Sequence, residues 1–421
     1  MQRIKSRSEF SRNVLTLMTG TIIAQAIPIA ITPILTRMYS PDEFGLLALF
    51  VSISVLIGSV SSGRYELAIM KPLDDNDAVN IAAAAGIIVA AITVVSLLII
   101  VFFGKELTDI IGNKEIFNWL YFVPITVFLS GWFNILTYLN NRKKLYKDIA
   151  IAGVYKSTAM GVTQVSVGFA KLSINGLILG HIVSFVFGNI KLLNNVFSNY
   201  NIRTSISING IRQMAVKYKK FPKYTMPAGL ANATSTQVLN ILISGIYNVA
   251  ILGFYSLVQR VMEAPSSLIG RSIGQVFYEE ATVEIAKTGK ATKVFKSTLW
   301  KLIYISTPIF LIMYFSIEDI FIFAFGDDWA VAGIYARIMI PLFFVRFIVV
   351  PLLMMNAIYN KNEVGLYWQI GLLLIQLLII FIAQINSWSF ETYLHWMTYI
   401  ISAHYLLILW IVSRYKQQEA T

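Results

Sequence analysis

The residues best placed to do chemistry in this sequence are seven charged side chains that lie within, or at the ends of, long apolar segments. Five are basic and two are acidic: Arg64, Lys156, Arg260, Arg271, Arg346, Glu66 and Glu263. Charge at the depth of a membrane is costly, so these residues need a partner or a wet cavity. Because Arg and Lys donate charge-assisted hydrogen bonds to anions, we expect the basic residues to bind an anionic group. The two glutamates are candidates for exchanging protons.

The stretch from Leu252 to Glu280 shows how such residues are arranged. At about 100° per residue its polar positions fall within one stripe of a helix: Arg260, Glu263, Ser267, Arg271, Gly274 and Tyr278. A polar stripe on a membrane-spanning helix predicts a water-filled cavity beside it. Pro265 removes one backbone hydrogen bond there, so we predict a bend. Arg260 and Arg271 would serve successive positions along the cavity, with Glu263 competing for Arg260.

The other charged positions allow more than one interpretation. A second polar stripe is predicted in the second apolar segment, at Ser52, Ser59, Gly63 and Glu66. We expect Glu66 to face the cavity, whereas Arg64 either faces it too or extends to the cytoplasmic head groups. Lys156 could likewise extend to an interface. Arg346 lies so deep in its segment that its alternative is a structural ion pair.

The composition is that of a polytopic membrane protein. Hydrophobic residues make up 57% of the 421 residues and charged residues 13%, and the mean hydropathy is +0.67. Cysteine is absent and the three histidines are scattered, so we expect no metal and no cofactor. The net charge of +12 lies in short clusters between apolar runs, which argues against nucleic-acid binding. For the acidic cluster Asp74, Asp75 and Asp77, helix capping is favoured over metal binding.

Apolar runs of about 20 residues predict an all-α membrane protein with twelve transmembrane helices. The predicted spans are 14–36, 43–69, 79–103, 117–139, 149–170, 176–196, 224–246, 251–277, 298–317, 332–358, 364–385 and 393–413. If both termini are cytoplasmic, Lys and Arg concentrate in the connections on the cytoplasmic side. This distribution fits twelve spans. In the first span, Pro28 and Pro33 form either a gate or a static kink.

The predicted spans divide into two six-helix halves around a central cavity. The halves are 1–205 and 224–421, joined by an amphipathic cytoplasmic linker at 206–223. In the linker, apolar side chains repeat at helical spacing: Ile211, Met214, Ala215 and Tyr218. We favour contact of this stripe with anionic lipid head groups over contact with a partner protein. A faint repeat between the second and eighth spans supports halves of equal orientation.

Three motifs resemble those of the bacterial polysaccharide transporter family, which includes the O-antigen flippases: LTRMYSPDEFGLLALF, GRYELAIMKPLDDNDA and LGFYSLVQRVMEAPSSLIGRSIGQVFYEE. Multidrug and toxin extruders share its superfamily. The resemblance implies translocation of an undecaprenyl-pyrophosphate-linked oligosaccharide from the cytoplasmic to the periplasmic leaflet of the inner membrane. Partners would be membrane lipids, a polysaccharide polymerase and chain-length proteins. The first span lacks the charged pair of the related lipid II flippases, which favours the oligosaccharide branch.

Two other functions stay open from the sequence. A multidrug exporter should have an apolar and acidic site, whereas basic residues predominate here. A polysaccharide polymerase or ligase resembles proteins with a large periplasmic loop, and the predicted outer connections are short. No Walker A sequence, nucleophile elbow or zinc-protease helix is present, so we expect a transporter and not an enzyme. If the two halves rock, candidates for binding sugars are Gln25, Asn134, Gln164, Asn232 and Gln237.

We predict that Lys144 and Lys220 lie in the cytoplasm and that Asn113 and Asp327 lie outside. Because the chain contains no cysteine, single cysteine variants at these positions can be labelled with an impermeant thiol reagent in intact spheroplasts. Positions 113 and 327 should react, and positions 144 and 220 should react only after lysis. Labelling of position 144 from outside would overturn the predicted topology.

Overall fold

The computed structural model describes residues 2–171 and 175–415, with the side chains of 16–171, 175–202, 204–263, 270, 273–361 and 363–415. This part of the chain is helical and contains no strand. Its longer helices are α1 (Gln2–Leu35), α2 (Pro41–Gly58), α3 (Asp75–Ile111), α4 (Val123–Arg142), α5 (Tyr146–Phe169), α6 (Gly176–Asn199), α7 (Ile208–Lys217), α8 (Met226–Ile246), α9 (Val249–Thr288), α10 (Thr292–Phe325), α11 (Ala330–Leu352), α12 (Asn362–Ile385) and α13 (Phe390–Ser413). Short α, 3₁₀ or π segments lie at Tyr65–Met70, Phe117–Leu120, Ile202–Ser205, Phe221–Thr225, Asp327–Trp329 and Met355–Ile358.

The helices confirm the prediction of an all-α membrane protein. All of them except α7 contain 18 residues or more, which gives the described chain as many long helices as there are predicted spans. Among the described residues, nine helical segments are long and apolar enough to cross a membrane, and they include parts of α1 to α4, α6 and α10 to α13. The three other long helices, α5, α8 and α9, carry more polar residues. Counting helices by length therefore fits the predicted twelve spans, whereas counting by length and hydropathy gives nine among the described residues.

The second predicted span is shorter than expected. It was predicted to extend over 43–69, but α2 ends at Gly58. The chain then turns, with Gly63 and Arg64 both in the left-handed region at φ 59° and 60°, and continues as the 3₁₀ helix Tyr65–Met70. Glycine adopts this conformation readily, so Gly63 allows the chain to leave the direction of α2 before the 3₁₀ helix begins. The predicted helical stripe that joined Ser52 to Glu66 is therefore wrong.

Two of the sequence motifs set helix starts. Ser40 and Glu43 form a capping box at α2, with the Ser40 hydroxyl accepting from the Glu43 amide and the Glu43 carboxylate accepting from the Ser40 amide. Asp74 caps α3 by accepting from the amide of Asn76 at 3.2 Å, which confirms the predicted capping role. The Asp75 carboxylate pairs with Arg142 at 2.8 Å and Lys143 at 2.5 Å.

The first motif also fixes the connection between α1 and α2. Tyr39 donates from its hydroxyl to the carbonyl of Gln164 at 2.6 Å. Burial, and then the nearby Glu43 carboxylate, raise the pKa of Tyr39 to about 12, so it remains a donor at neutral pH. Gln164 itself is buried and donates to the carbonyl of Leu177 at 3.0 Å. The prediction that Gln164 binds sugar is wrong, because its side chain is used inside the fold.

The helices pack as two compact units, Met1–Gly253 and Phe254–Thr421. The predicted division of the chain at a linker of 206–223 remains a prediction. In the first unit, α2 and the start of α9 approach closely. A Cβ at Gly45 would overlap the carbonyl of Val249, and a Cβ at Gly253 would overlap that of Pro41. Gly45 and Gly253 therefore allow direct contact between the backbones of the two helices.

A seam of small residues joins α1 to α5 in the first unit. A Cβ at Gly20 would overlap that of Ala150. Further along, the Ser157 hydroxyl donates to the carbonyl of Ala24 at 2.6 Å. Ala24 lies four residues before Pro28, and this carbonyl loses its helical donor because proline has no amide hydrogen. α1 continues as a helix through Pro28 and Pro33, so α5 compensates for the missing bond at Pro28.

The predicted amphipathic helix is present as α7, but its apolar stripe packs on protein. Met214 is buried in a core with residues of α3, α4 and α6, and Ala215 and Tyr218 pack against that core. The hydroxyl of Tyr65 donates to the carbonyl of Ala215 at 2.7 Å. The prediction that this stripe contacts lipid is therefore wrong for the described structure. The basic residue Arg212 lies on the exposed side of the helix.

Aromatic side chains hold the second unit together. Trp329 is fully buried, and its ring centroid lies 5.7 Å from that of Phe254 in an edge-to-face arrangement. Tyr335 packs on Phe390 with centroids 4.9 Å apart, which links α11 to α13. Edge-to-face pairs add roughly 0.5–1.5 kcal/mol each beyond the area they bury. The unit thus has a core of its own.

We predict that Ser157→Ala destabilises the protein by about 1–3 kcal/mol, because it leaves the carbonyl of Ala24 without a donor in an apolar surrounding. Pro28→Ala returns an amide hydrogen to that carbonyl, so Ser157→Ala should cost less in the Pro28→Ala background. Unfolding in SDS measures this cycle. Ser166→Ala on the exposed side of α5 is the matched control. Equal effects of Ser157→Ala and Ser166→Ala would contradict the prediction.

Candidate functional site

The first unit contains a polar cavity of about 490 Å³. It is lined by α2 and the turn that follows it, and by α4, α5, α6 and α8. Three charged residues line it: Arg64, Glu66 and Lys156. Uncharged polar residues line it as well: Ser54, Ser59, Thr126, Ser130, Asn134, Asn232 and Thr236. This cavity is called the unit 1 cavity below.

Arg64 reaches the cavity because of the left-handed turn after α2. Its guanidinium lies 3.7 Å from the carboxylate of Glu66 and packs on α8 at Gly229. A Cβ at Gly229 would overlap the guanidinium, so only glycine leaves this space free. Glu66, also predicted to face the cavity, is only 3% exposed and accepts a hydrogen bond from the hydroxyl of Ser62. Arg64 is thus partly neutralised, and part of its side chain remains exposed.

Lys156 is held by aromatic rings. Its Nζ atom lies 3.6 Å from the ring centroid of Phe185 and 5.1 Å from that of Phe133. Cation–π contacts of this kind stabilise a partly desolvated ammonium by about 0.5–2 kcal/mol. No carboxylate of the described side chains pairs with Lys156. His181 packs edge-to-face on Phe185, with centroids 5.4 Å apart, and also lines the cavity.

The charges of the unit 1 cavity therefore do not balance. Two cations, Arg64 and Lys156, face one described carboxylate, Glu66. The surplus positive charge sits beside amide and hydroxyl groups that can donate or accept hydrogen bonds. An arrangement of this kind can bind an anionic group together with a hydroxyl-rich one.

In the second unit, the structure gives Arg346 a close partner. Its guanidinium lies 2.7 Å from the carboxylate of Glu263, beside the ring of Tyr405. The structural ion pair considered for Arg346 is therefore present, and Glu263 of α9 engages α11. Arg260 lies half-buried on α9. The predicted roles of the Arg271 and Pro265 side chains lie outside the described residues.

Sequence reasoning missed the residues that position these charges. Gly229, Phe133 and Phe185 lie more than 20 residues from the charges they contact, and nothing in their local sequence marks them. His181 was noted only as a scattered histidine. The glycine at position 63, next to Arg64, was the one local signal for the turn.

The comparisons with known proteins agree with this architecture. The sequence profile of the family described as polysaccharide biosynthesis protein matches residues 34–333. The chain belongs to this family. No curated protein sequence matches it.

Solved structures place the polysaccharide biosynthesis protein in a known fold. The lipid II flippase MurJ in an inward closed conformation matches with a TM-score of 0.72 at 11% identity, over 96% of this chain and 87% of that one. An inward-facing multidrug resistance MATE family transporter of the MOP superfamily gives 0.58 at 12% identity, over 94% and 93%. A mutant of the Vibrio cholerae MATE transporter VcmN gives 0.53 at 12% identity, over 97% of each. These likenesses show the fold that this family member shares with them.

We predict that Gly229→Ala weakens binding of inorganic pyrophosphate about 5- to 10-fold, or roughly 1–1.4 kcal/mol, because the new methyl group displaces the guanidinium of Arg64. Alanine favours a helix over glycine, so the loss should not come from α8 itself. Calorimetry on the detergent-solubilised protein measures the affinity. Gly58→Ala adds the same methyl group to the same cavity at an ordinary 3.6 Å from the Ser130 hydroxyl and is the control.

The double variant Gly229→Ala, Arg64→Asn gives a second test. If Gly229 acts through Arg64, the double variant should bind no more weakly than Arg64→Asn alone. Additive losses would show that Gly229 has another role.

Proposed function

We propose that this protein is a flippase that moves an undecaprenyl-pyrophosphate-linked oligosaccharide from the cytoplasmic to the periplasmic leaflet of the bacterial inner membrane. The observation that carries the proposal is the surplus positive charge of the unit 1 cavity, where Arg64 and Lys156 face a single described carboxylate. Membership of a polysaccharide biosynthesis family and the fold shared with transporters support it.

The pyrophosphate is the part of such a substrate that needs help. It carries concentrated negative charge and cannot cross about 30 Å of hydrocarbon unaided. Arg64 offers a planar fork of donors and Lys156 a compact ammonium, and both are strong partners for phosphate oxygens. The lipid tail can stay in the bilayer. The charged head group then exchanges water for protein donors within the cavity.

The sugars need adaptable hydrogen bonds and not fixed charge. Asn134 and Asn232 line the unit 1 cavity and can both donate and accept. Ser59, Ser130 and Thr236 add hydroxyl groups. This set favours a hydroxyl-rich ligand without selecting one sugar.

Release requires that the head group is not bound too tightly. Glu66 stands 3.7 Å from Arg64, too far for a tight hydrogen bond, and can compete with a phosphate for it. Glu66 and Glu263 remain our candidates for coupling transport to protons. Arg260 and Arg271 remain candidates for contacting the head group elsewhere on its path, whereas Arg346 would first have to leave its ion pair with Glu263.

Alternating access needs a helix that can change shape. Pro28 and Pro33 in α1 and Pro265 in α9 are our candidates for gating. The carbonyl freed by Pro28 is held by Ser157, so a change at this point of α1 would first break that hydrogen bond. Both termini are proposed to be cytoplasmic, and a polysaccharide polymerase and chain-length proteins are the proposed partners.

A multidrug exporter is the second candidate, since the MATE transporters share the fold. The charge of the unit 1 cavity argues against cationic drugs, because two basic residues repel them and the one carboxylate is buried beside Arg64. A polysaccharide polymerase or ligase has less support, because such enzymes resemble proteins with a large periplasmic loop and the predicted outer connections here are short.

We predict that Arg64→Asn and Lys156→Met each lower surface polysaccharide at least 10-fold when they complement a strain lacking the gene, because each removes a charge-assisted contact to phosphate. Asn tolerates the left-handed backbone at position 64, and Met keeps the apolar stem of Lys156, so charge is the main loss. Arg64→Lys should retain partial function, since charge survives without the bidentate fork. Protein level in the membrane is measured alongside.

Arg337→Ala is the matched control, because Arg337 forms an exposed pair with Glu318 at 2.9 Å and does not line the cavity. A well-expressed Arg64→Asn, Lys156→Met double variant with normal polysaccharide would end the proposal. If that variant lost drug resistance instead, the exporter would replace it. Arg260→Ala, Arg271→Ala in the same assay tests whether α9 contributes contacts or only structure.

A further inference from the structure

The seam between α1 and α5 opens into a groove at the end nearer the amino terminus of each helix. The groove has a volume of about 620 Å³. Thr16 and Ile23 of α1 line it on one side, and Ile151, Val154 and Tyr155 of α5 line it on the other. Gly20 and Ala150, where the two helices touch, also line it. The groove is therefore a largely apolar surface depression along one helix pair, and is called the α1–α5 groove below.

One cation marks the end of the α1–α5 groove. Lys147 lines it and is exposed. The neighbouring carboxylate of Asp148 is engaged by Lys191 at 2.6 Å. No carboxylate of the described side chains pairs with Lys147. With respect to the described side chains its charge is available to an anion at this level, and the predicted topology puts this end of α5 on the cytoplasmic side.

The α1–α5 groove is separate from the unit 1 cavity. Lys147 and Lys156 lie nine residues apart on α5, which places them about 14 Å apart along the helix and on opposite faces of it. Lys156 faces the cavity, and Lys147 faces the groove. A head group at Lys147 could not reach Lys156 without passing around α5. The groove is thus suited to a ligand other than the cargo of the cavity.

The rest of the protein buries little of α1. Only 11% of its most apolar window is buried, against 44% for α2 and 50% for α6. A helix that leans on one neighbour gains from any apolar group that fills the space between them. Lipid hydrocarbon is the apolar material available at this depth of a membrane.

We propose that the α1–α5 groove binds one anionic phospholipid of the inner leaflet. One of its hydrocarbon chains fills the space between Ile23 and Val154, and its phosphate is bound by Lys147. This lipid is resident and is distinct from the cargo. It strengthens the contact of α1 with α5 below the hydrogen bond between Ser157 and Ala24.

Native mass spectrometry of the full chain tests the site. The protein is reconstituted with equal amounts of phosphatidylglycerol and phosphatidylcholine, extracted, and the retained lipid is counted. We expect one phosphatidylglycerol to be retained in preference to phosphatidylcholine. Lys147→Ala should lower that preference at least 5-fold, or about 1 kcal/mol. Lys287→Ala, at an exposed helical lysine of the second unit, is the matched control.

A second variant tests the groove apart from its charge. Val154→Trp fills the space and should remove retention of both lipids, whereas Arg337→Ala, at a residue that lines neither the groove nor the unit 1 cavity, should leave retention unchanged. Equal retention of both lipids by wild type and Lys147→Ala would overturn the proposal. So would displacement of phosphatidylglycerol by equimolar undecaprenyl phosphate, because the groove would then bind the carrier of the cargo. Neither result bears on the unit 1 cavity.

Discussion

Desolvation of positive charge is the constraint on which the rest of the candidate site depends. An arginine or lysine that leaves water must regain its interactions from the protein, or the fold cannot hold it there. Arg64 regains part of them from Glu66 at 3.7 Å, and its guanidinium packs in the space that Gly229 leaves open on α8. Lys156 regains them from the faces of two phenylalanine rings. Both solutions are incomplete, because neither cation has a described carboxylate within hydrogen-bonding distance, and this leaves capacity for an anion.

The second unit meets the same constraint differently. Arg346 and Glu263 lie 2.7 Å apart, against 3.7 Å for Arg64 and Glu66. A close ion pair satisfies both partners and is costly to break when one of them is removed. Arg346 is therefore better placed to join α11 to α9 than to exchange partners. The distance to the carboxylate thus distinguishes Arg346, which is held in a close ion pair, from Arg64, which can still bind an anion.

Local sequence was enough to predict the parts of the fold that local physics determines. Apolar runs predicted the helices, and the acidic cluster at Asp74 was predicted to cap one of them. The site depends on contacts between distant segments, and there the prediction was partial. Arg64, Glu66 and Lys156 were chosen for their charge, but the glycine and the rings that position them have no charge and no periodicity of their own. The stripe of α7 failed for the same reason, because an amphipathic pattern does not say whether lipid or protein covers it.

Backbone polar groups in an apolar surrounding, like charged side chains, need a partner that replaces water. Pro28 deprives the carbonyl of Ala24 of its donor, and in an apolar surrounding that acceptor needs another. Ser157 supplies it, and Ser157 is the residue next to Lys156. One turn of α5 thus satisfies a carbonyl of α1 on one side and presents a cation to the cavity on the other. The proline-freed carbonyl of α1 is therefore bonded to a residue adjacent to one that lines the cavity. The same turn of α5 satisfies a backbone acceptor of α1 and holds a cation against two phenylalanine rings.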